Sequence, residues 1–248
     1  MTALPHRAAD EPAAGPVLVR PPLVRSRGMP RQWLIWVARC LGRVLMPTYF
    51  RLQVLGRANV PRNGAVLLAG NHTSFLDGPL VFSVAPRTAQ FYIKEEMYAG
   101  SVARALDWLG QIPINRGRPD RRALRRGLAA LGAGEAVGMF PEGSRGAGDL
   151  GSVQHGIAFL ALKAGCPVVP VACLGSAAAL PPGKGRPRWR APVAVVFGAP
   201  FRLAVSADPQ TRRAVADAAE QIRVRLADHV AHAAKDLGWS ASAPPTGG

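Results

Sequence analysis

Seven short apolar runs punctuate the chain from residue 50 onward: "FRLQVLG", "GAVLLAG", "AQFYIK", "GQIPI", "EAVGMF", "CPVVPVACL" and "PVAVVFG". Short aliphatic and aromatic runs bounded by Gly, Pro or charged residues read as buried strands. Between them, helical patterns cover residues 77–84, 100–109, 120–131 and 153–163, and a long Ala/Arg helix runs from residue 209 to about 237. Strands alternating with helices predict an α/β fold, a single domain whose mixed, mostly parallel sheet is covered by helices. In such sheets the loops at the carboxyl ends of the strands carry the chemistry. No internal repeat or linker divides the chain, so the domain is expected over residues 49–238, with disordered tails at 1–28 and 239–248.

Residues 29–50, "MPRQWLIWVARCLGRVLMPTYF", predict one more helix. Arg39 and Arg43 interrupt any run of the roughly 18 apolar residues that a spanning helix needs, so it should not cross a bilayer. A short basic helix with tryptophans near one end fits a segment in the headgroup region, its apolar face buried and its arginines on anionic lipid. The alternative is an amphipathic helix packed on the domain core. Residues 29–48 are accordingly expected to form an amphipathic, membrane-associating helix.

Composition adds a charge argument. The 248 residues hold 31 basic and 15 acidic side chains, a net +16, and 48% are hydrophobic, enough for a sizeable core. Such a balance attracts polyanions: nucleic acid, anionic lipid or phosphorylated metabolites. Between Glu11 and Asp77 stand nine arginines and no acidic residue. The run "RGRPDRRALRRG" is a candidate nucleic-acid patch, but aromatics make up only 6% and no recognition module is present. Its arginines read as the solvated face of a helix with Leu124, Leu128 and Leu131 on its apolar stripe, so no nucleic-acid partner is expected. "PPGKGRPRWRAP", residues 181–192, is a Pro/Gly/basic loop. Cys40, Cys166 and Cys173 lack metal-ligand spacing and read as reduced thiols inside a cell. The amino-terminal segment lacks the pattern of a secretory signal.

The candidate chemistry lies at three predicted strand ends. "NHTSFLDG" follows "GAVLLAG" and brings His72 and Asp77 within five positions. A histidine held by a carboxylate has a fixed tautomer and a stabilised imidazolium, which suits a general base. Equally, Asp77 could cap the following helix beside a surface histidine, and this stretch alone admits both readings. "GQIPINRGR" ends with Asn115 and Arg116, and "MFPEGSRG" carries Glu142, Gly143 and Arg145. The arginines offer planar forks for phosphate oxygens, and the glycines let backbone approach a ligand. One basic, phosphate-seeking pocket would use all three strand ends. No HExxH, G-x-S-x-G, P-loop or G-x-G-x-x-G pattern competes with this reading.

Together, "NHTSFLD", "GQIPINR", "FPEGSRG" and "VVPVACLG" resemble the four ordered motifs of the glycerophospholipid acyltransferases, over residues 50 to about 203. The resemblance implies acyl transfer from acyl-CoA or acyl carrier protein, as co-substrate, to a lysophospholipid hydroxyl, most simply that of 1-acylglycerol-3-phosphate. It implies no other cofactor, no metal and no covalent acyl-enzyme. His72 matches the family's base and Asp77 its partner. Arg116, Glu142, Gly143 and Arg145 match acceptor-phosphate and structural positions, Pro170 matches the fourth motif, and Lys94 falls where similar proteins place a basic residue near the phosphate. The expected location is the cytoplasmic face of an anionic membrane, peripheral or monotopic.

Overall fold

The computed structural model describes residues 32–115, 120–141, 150–181, 183–204 and 211–239. Its centre is a seven-stranded sheet built from β1 (Arg51–Leu55), β2 (Val66–Gly70), β3 (Ala89–Lys94), β4 (Ile112–Ile114), β5 (Ala136–Met139), β6 (Val168–Leu174) and β7 (Pro192–Phe197). The order is β1-β7-β6-β2-β5-β3-β4. All neighbours are parallel except β6 and β7. The sheet is thus mixed and mostly parallel, with every strand where the apolar runs predict one.

Every residue of β2, β5 and β6 is buried, as a parallel sheet covered on both faces requires. The alternation along β2 divides the core. Val66 and Leu68 pack beneath α2 (Asp77–Val84) with Leu80, Val81 and Val84. Leu67 and Ala69 point the other way, toward α4 (Arg121–Gly132), α5 (Leu150–Ala164) and α7 (Arg212–Asp236), meeting Leu131, Ile157, Leu160 and Ile222. Asp120 caps α4 by accepting from the Arg122 and Ala123 amides, and Thr211 caps α7 by accepting from Ala214. A third helix, α3 (Gly100–Trp108), buries none of its residues fully.

The amino-terminal helix α1 (Gln32–Tyr49) packs on α2 in an unexpected orientation. Ile35, Arg39 and Gly42 face inward, and a Cβ at Gly42 would run into Ser83. Arg39 donates to the Ala85 carbonyl, while Arg43 donates to Ser83 O at 3.3 Å and Ala85 O at 3.4 Å. These arginines were expected on lipid. They instead satisfy carbonyls at the carboxyl end of α2, where the helix dipole favours cations. Burial pulls the Arg39 guanidinium down to about 10, with the Arg43 and Arg57 charges adding to the effect. Trp33, Trp36, Val37, Leu41 and Val44, spaced i, i+3, i+4, i+8, i+11, are left facing outward, with Trp36 68% exposed. No helix among the described residues is long and apolar enough to cross a membrane.

Two further features depart from expectation. A four-residue helix, α6 (Ser176–Ala179), follows β6, entered through Gly175 at φ 76°. Trp239, expected to open a disordered tail, packs against the Leu174, Ala194 and Ala233 cluster, and its amide donates to Ala234 O at 2.7 Å. The rest of that tail, residues 240–248, and the expected tail over 1–28 lie outside the described residues.

Candidate active site

The sheet order explains how motifs far apart in sequence meet. β2, β5, β3 and β4 are adjacent and parallel, so their carboxyl ends open on one edge of the sheet. Ala69 pairs with Met139, Phe91 with Gly138 and Lys94 with Ile114. "NHTSFLD", Phe140–Pro141, Lys94 and Asn115 therefore leave the sheet side by side, as the rule for parallel sheets anticipates.

Asn71, buried at the end of β2, fixes the first loop. Its side chain accepts from the Cys173 amide at 2.7 Å and donates to Cys173 O at 3.0 Å, tying the loop to β6. His72 comes next, with 24% of its side chain exposed. Its Nδ1 faces Asp77 Oδ2 at 3.1 Å. The same oxygen accepts from the amides of Thr73 at 2.8 Å and Ser74 at 2.7 Å. Asp77 is fully buried and lies in the first turn of α2, whose cap position is Leu76 with no side-chain bond. The capping alternative is therefore not what forms. The carboxylate bends back over its own loop and holds the ring through Nδ1, which leaves Nε2 for a substrate proton. Thr73 Oγ1 and Ser176 Oγ, 3.0 Å apart, brace the outer side of the loop against α6.

Phe140 is a contact that the sequence did not signal. Its ring stacks on His72, centroids 4.9 Å apart and planes at 26°, and on Phe91 at 5.8 Å. Glycines make room for this column: a Cβ at Gly70 would lie 2.7 Å from the Phe140 ring, and one at Gly138 would strike Phe91. The third motif thus departs from a residue that touches the imidazole. Arg116, Glu142, Gly143 and Arg145 lie outside the described residues.

A cavity of about 600 Å³ opens beside His72. Phe75, Phe82, Phe91 and Ile93 line it, and Val102 and Leu106 of α3, with Leu109 just after it, form one wall. This explains why α3 buries nothing fully, since its apolar stripe faces the cavity. Gln111 and Tyr92 also border it, but their polar atoms are engaged. Gln111 accepts from the Phe91 amide at 2.9 Å and donates to Leu109 O at 2.8 Å, and the Tyr92 hydroxyl donates to Ala123 O at 3.1 Å. His72 and Lys94 are the other polar residues of a wall that is otherwise mainly apolar. Lys94 is exposed and has no side-chain partner among the described residues. Asn115 is committed to the protein instead: its Nδ2 donates to Glu95 at 3.2 Å and its amide to Asp120 at 3.2 Å. Pro170 sits within β6, where its carbonyl accepts from Gly198 at 2.8 Å, a structural role.

Neither buried thiol, Cys166 or Cys173, offers a covalent route. Burial pushes Cys173 well above its usual range, with the Asp77 carboxylate adding to this, and burial pushes Cys166 to about 11. Both are protonated at neutral pH and are poor nucleophiles.

A family model described as Acyltransferase matches residues 51–174, half of the chain. A chloroplastic 1-acyl-sn-glycerol-3-phosphate acyltransferase of Arabidopsis thaliana is 27% identical over 158 residues, 62% of this chain and 44% of that protein. The chain therefore spans less than half the length of this plant relative. The 1-acyl-sn-glycerol-3-phosphate acyltransferase of Pseudomonas aeruginosa is 28% identical over 200 residues, 78% of this chain and 73% of that one. The crystal structure of the 1-acyl-sn-glycerophosphate (LPA) acyltransferase PlsC from Thermotoga maritima superposes with a TM-score of 0.63 at 23% identity, covering 85% of this chain and 84% of that one. The matched segment begins at β1 and ends with β6, so it contains the whole set of parallel strand ends that converge on His72, and the chain belongs to the glycerophospholipid acyltransferase family.

Proposed function

We propose that the chain moves a fatty acyl group from a thioester donor, acyl-CoA or acyl carrier protein, to the free hydroxyl of 1-acylglycerol-3-phosphate, giving phosphatidic acid. The observation that carries this reading is the His72–Asp77 pair, 3.1 Å apart, with His72 lining a mostly apolar cavity. His72 Nε2 takes the proton as the acceptor oxygen attacks the thioester carbon. The tetrahedral oxyanion then collapses, the C–S bond breaks, and the leaving sulfur takes the proton from the imidazolium, which returns the base to its starting state. Asp77, already deprived of water, stabilises the imidazolium between the two transfers. Properly placed base assistance contributes a factor of about a hundred to ten thousand.

The cavity suits an acyl chain because its lining is mostly apolar and the polar atoms of Tyr92 and Gln111 are engaged by the protein, and Lys94 suits the acceptor phosphate as a point charge. Arg116 and Arg145 are assigned to the same phosphate from their places in the sequence motifs. The names of the Arabidopsis and Pseudomonas relatives support the acceptor. The outward apolar stripe of α1 supports work at a membrane surface, since an exposed row of Trp, Val and Leu over inward arginines is unfavourable in water and favourable in the interfacial region.

The test is thiol release from a series of acyl-CoA donors with a panel of lyso-acceptors in detergent. Turnover with 1-acylglycerol-3-phosphate above that with uncharged monoacylglycerol, lost in His72→Ala, is the expected result. Preference for another lysolipid or a glycolipid would replace the acceptor while keeping the base, and release unaffected by His72→Ala would remove the base.

A further inference from the structure

The basic loop between α6 and β7 takes no part in the site described above, yet it is built onto the end of α1. Trp189 meets Tyr49, the last residue of α1, edge to face with centroids 5.0 Å apart and planes at 85°. The Tyr49 hydroxyl donates to Pro187 O at 2.7 Å, and the Arg190 amide donates to Tyr49 O at 2.8 Å. The Arg51 amide donates to Ala191 O at 3.0 Å, so the loop is held on both sides of the junction between α1 and β1. Arg190 adopts φ 56°, alone among described non-glycine residues in the left-handed region.

This framework leaves its side chains in solvent. Lys184, Arg186, Arg188, Trp189 and Arg190 are all exposed, Trp189 by 64%. None of the four cations has a side-chain hydrogen bond or ion pair among the described residues. The sequence holds no acidic residue from 150 to 207 that could neutralise them. An exposed tryptophan within a cluster of unpaired cations is a composition suited to the boundary between acyl chains and anionic headgroups.

We propose that the loop over residues 183–190 is a second lipid-binding element, one that reads anionic headgroups while α1 supplies the apolar insertion. It rests on the reading of α1 as membrane-facing. The Tyr49–Trp189 contact seats the loop at the carboxyl end of α1, the same helix whose outward stripe is read as entering the bilayer. The unpaired charge selects a polyanionic surface. Trp189 meets Tyr49 edge to face, at 85°, and so offers no parallel row of rings on which successive bases could stack, which favours lipid over nucleic acid.

The experiment compares the full chain with the triple variant Lys184→Gln/Arg186→Gln/Arg188→Gln and with Trp36→Asp, by sedimentation on vesicles of pure phosphatidylcholine and of phosphatidylcholine mixed with phosphatidylglycerol. At roughly 1 kcal/mol for each cation near a charged surface, the triple variant should bind the anionic vesicles about a hundredfold more weakly and the neutral vesicles unchanged. Its turnover of detergent-dispersed substrate should also be unchanged. Trp36→Asp should weaken both vesicle types, and its failure to do so would overturn the role of α1 separately from that of the loop. Equal binding of parent and triple variant to anionic vesicles would overturn the loop proposal, as would loss of duplex DNA binding with vesicle binding intact. As a measurement that does not depend on removing charge, a fluorophore on Gly185→Cys in a Cys40→Ser background, at a site where an added Cβ meets nothing within 4 Å, should be quenched by brominated anionic lipid. An unquenched label on vesicle-bound protein would also overturn the proposal.

Discussion

The ring of Phe140 lies nearly parallel to the imidazole of His72, centroids 4.9 Å apart, so the side that Asp77 does not hold is fixed by an aromatic face. A base that must present one nitrogen to a substrate hydroxyl gains from both restraints, since misplacement by about 1 Å costs as much as two orders of magnitude in rate. In the proposed mechanism Phe140 acts as a positioning residue. Phe140→Leu should lower kcat about tenfold with KM for the acceptor little changed, while the lost ring contacts cost about 1 to 2 kcal/mol of stability. Gly70→Ala approaches the same contact from behind, because its Cβ would lie 2.7 Å from the Phe140 ring. It should reduce kcat similarly and cost about 1–3 kcal/mol by overpacking. Steady-state kinetics with chemical melts of both variants check this, and full activity in a Gly70→Ala enzyme of lowered stability would show that the stacking is incidental.

Much of this arrangement is readable in the sequence, and the reasons differ by element. The seven strands are legible because each apolar run is closed by Gly, Pro, Asn or charge. His72 and Asp77 are legible because they meet across one loop, where five positions of chain suffice to bring them together. Phe140 on His72 is not, because the contact depends on β5 lying beside β2, and sheet order is not encoded in local pattern. Arg39 and Arg43 mislead for another reason. Hydropathy counts an arginine as a surface residue, whereas the carboxyl end of α2 supplies buried carbonyls that only a long donor can reach. The helix α6 has four residues of small side chain and no periodicity from which to infer it.

Lys94 stands at the end of β3, on the cavity wall and without a side-chain partner among the described residues. A point charge there should bind the acceptor phosphate in the ground state and the transition state alike. Lys94→Met should then raise KM for 1-acylglycerol-3-phosphate by about tenfold, the scale of one charge-assisted bond, with kcat kept. With an uncharged monoacylglycerol the parent and variant should be equal, and Lys94→Arg should restore part of the loss. A drop in kcat on both acceptors would place Lys94 elsewhere in the reaction.

The α3 wall of the cavity makes a prediction about donor length. Leu106 lines the cavity from a helix that has little else to pack against on that side, so it can be enlarged without crowding the protein core. Leu106→Trp should shift the preferred acyl-CoA to shorter chains. Each methylene excluded from apolar surroundings costs about 0.8 kcal/mol, a factor of about four in kcat/KM. Leu106→Ala should move the preference the other way. Competition between acyl-CoA donors of different length reads both effects, and an unaltered chain-length profile in both variants would mean that the acyl chain lies elsewhere.

Asp77 has two duties that one substitution can separate. Its Oδ2 accepts from the Thr73 and Ser74 amides and from His72, while its Oδ1 is buried without a partner. Asp77→Ala removes both duties. It should leave two loop amides unsatisfied, at about 1–3 kcal/mol for a buried polar group, and abolish acyl transfer nearly as completely as His72→Ala. In Asp77→Asn the amide oxygen can replace Oδ2 and keep the loop, but it carries no charge for the imidazolium. Its melting temperature should therefore fall much less than that of Asp77→Ala, while its kcat falls by a hundredfold or more, the scale of acid/base assistance. His72→Ala combined with Asp77→Asn should be little worse in kcat than His72→Ala alone, because without the ring there is no imidazolium left to stabilise. Acyl-CoA turnover and thermal melts of the four proteins test this directly. An Asp77→Asn enzyme with more than about a tenth of parental kcat would show that the carboxylate only holds the loop.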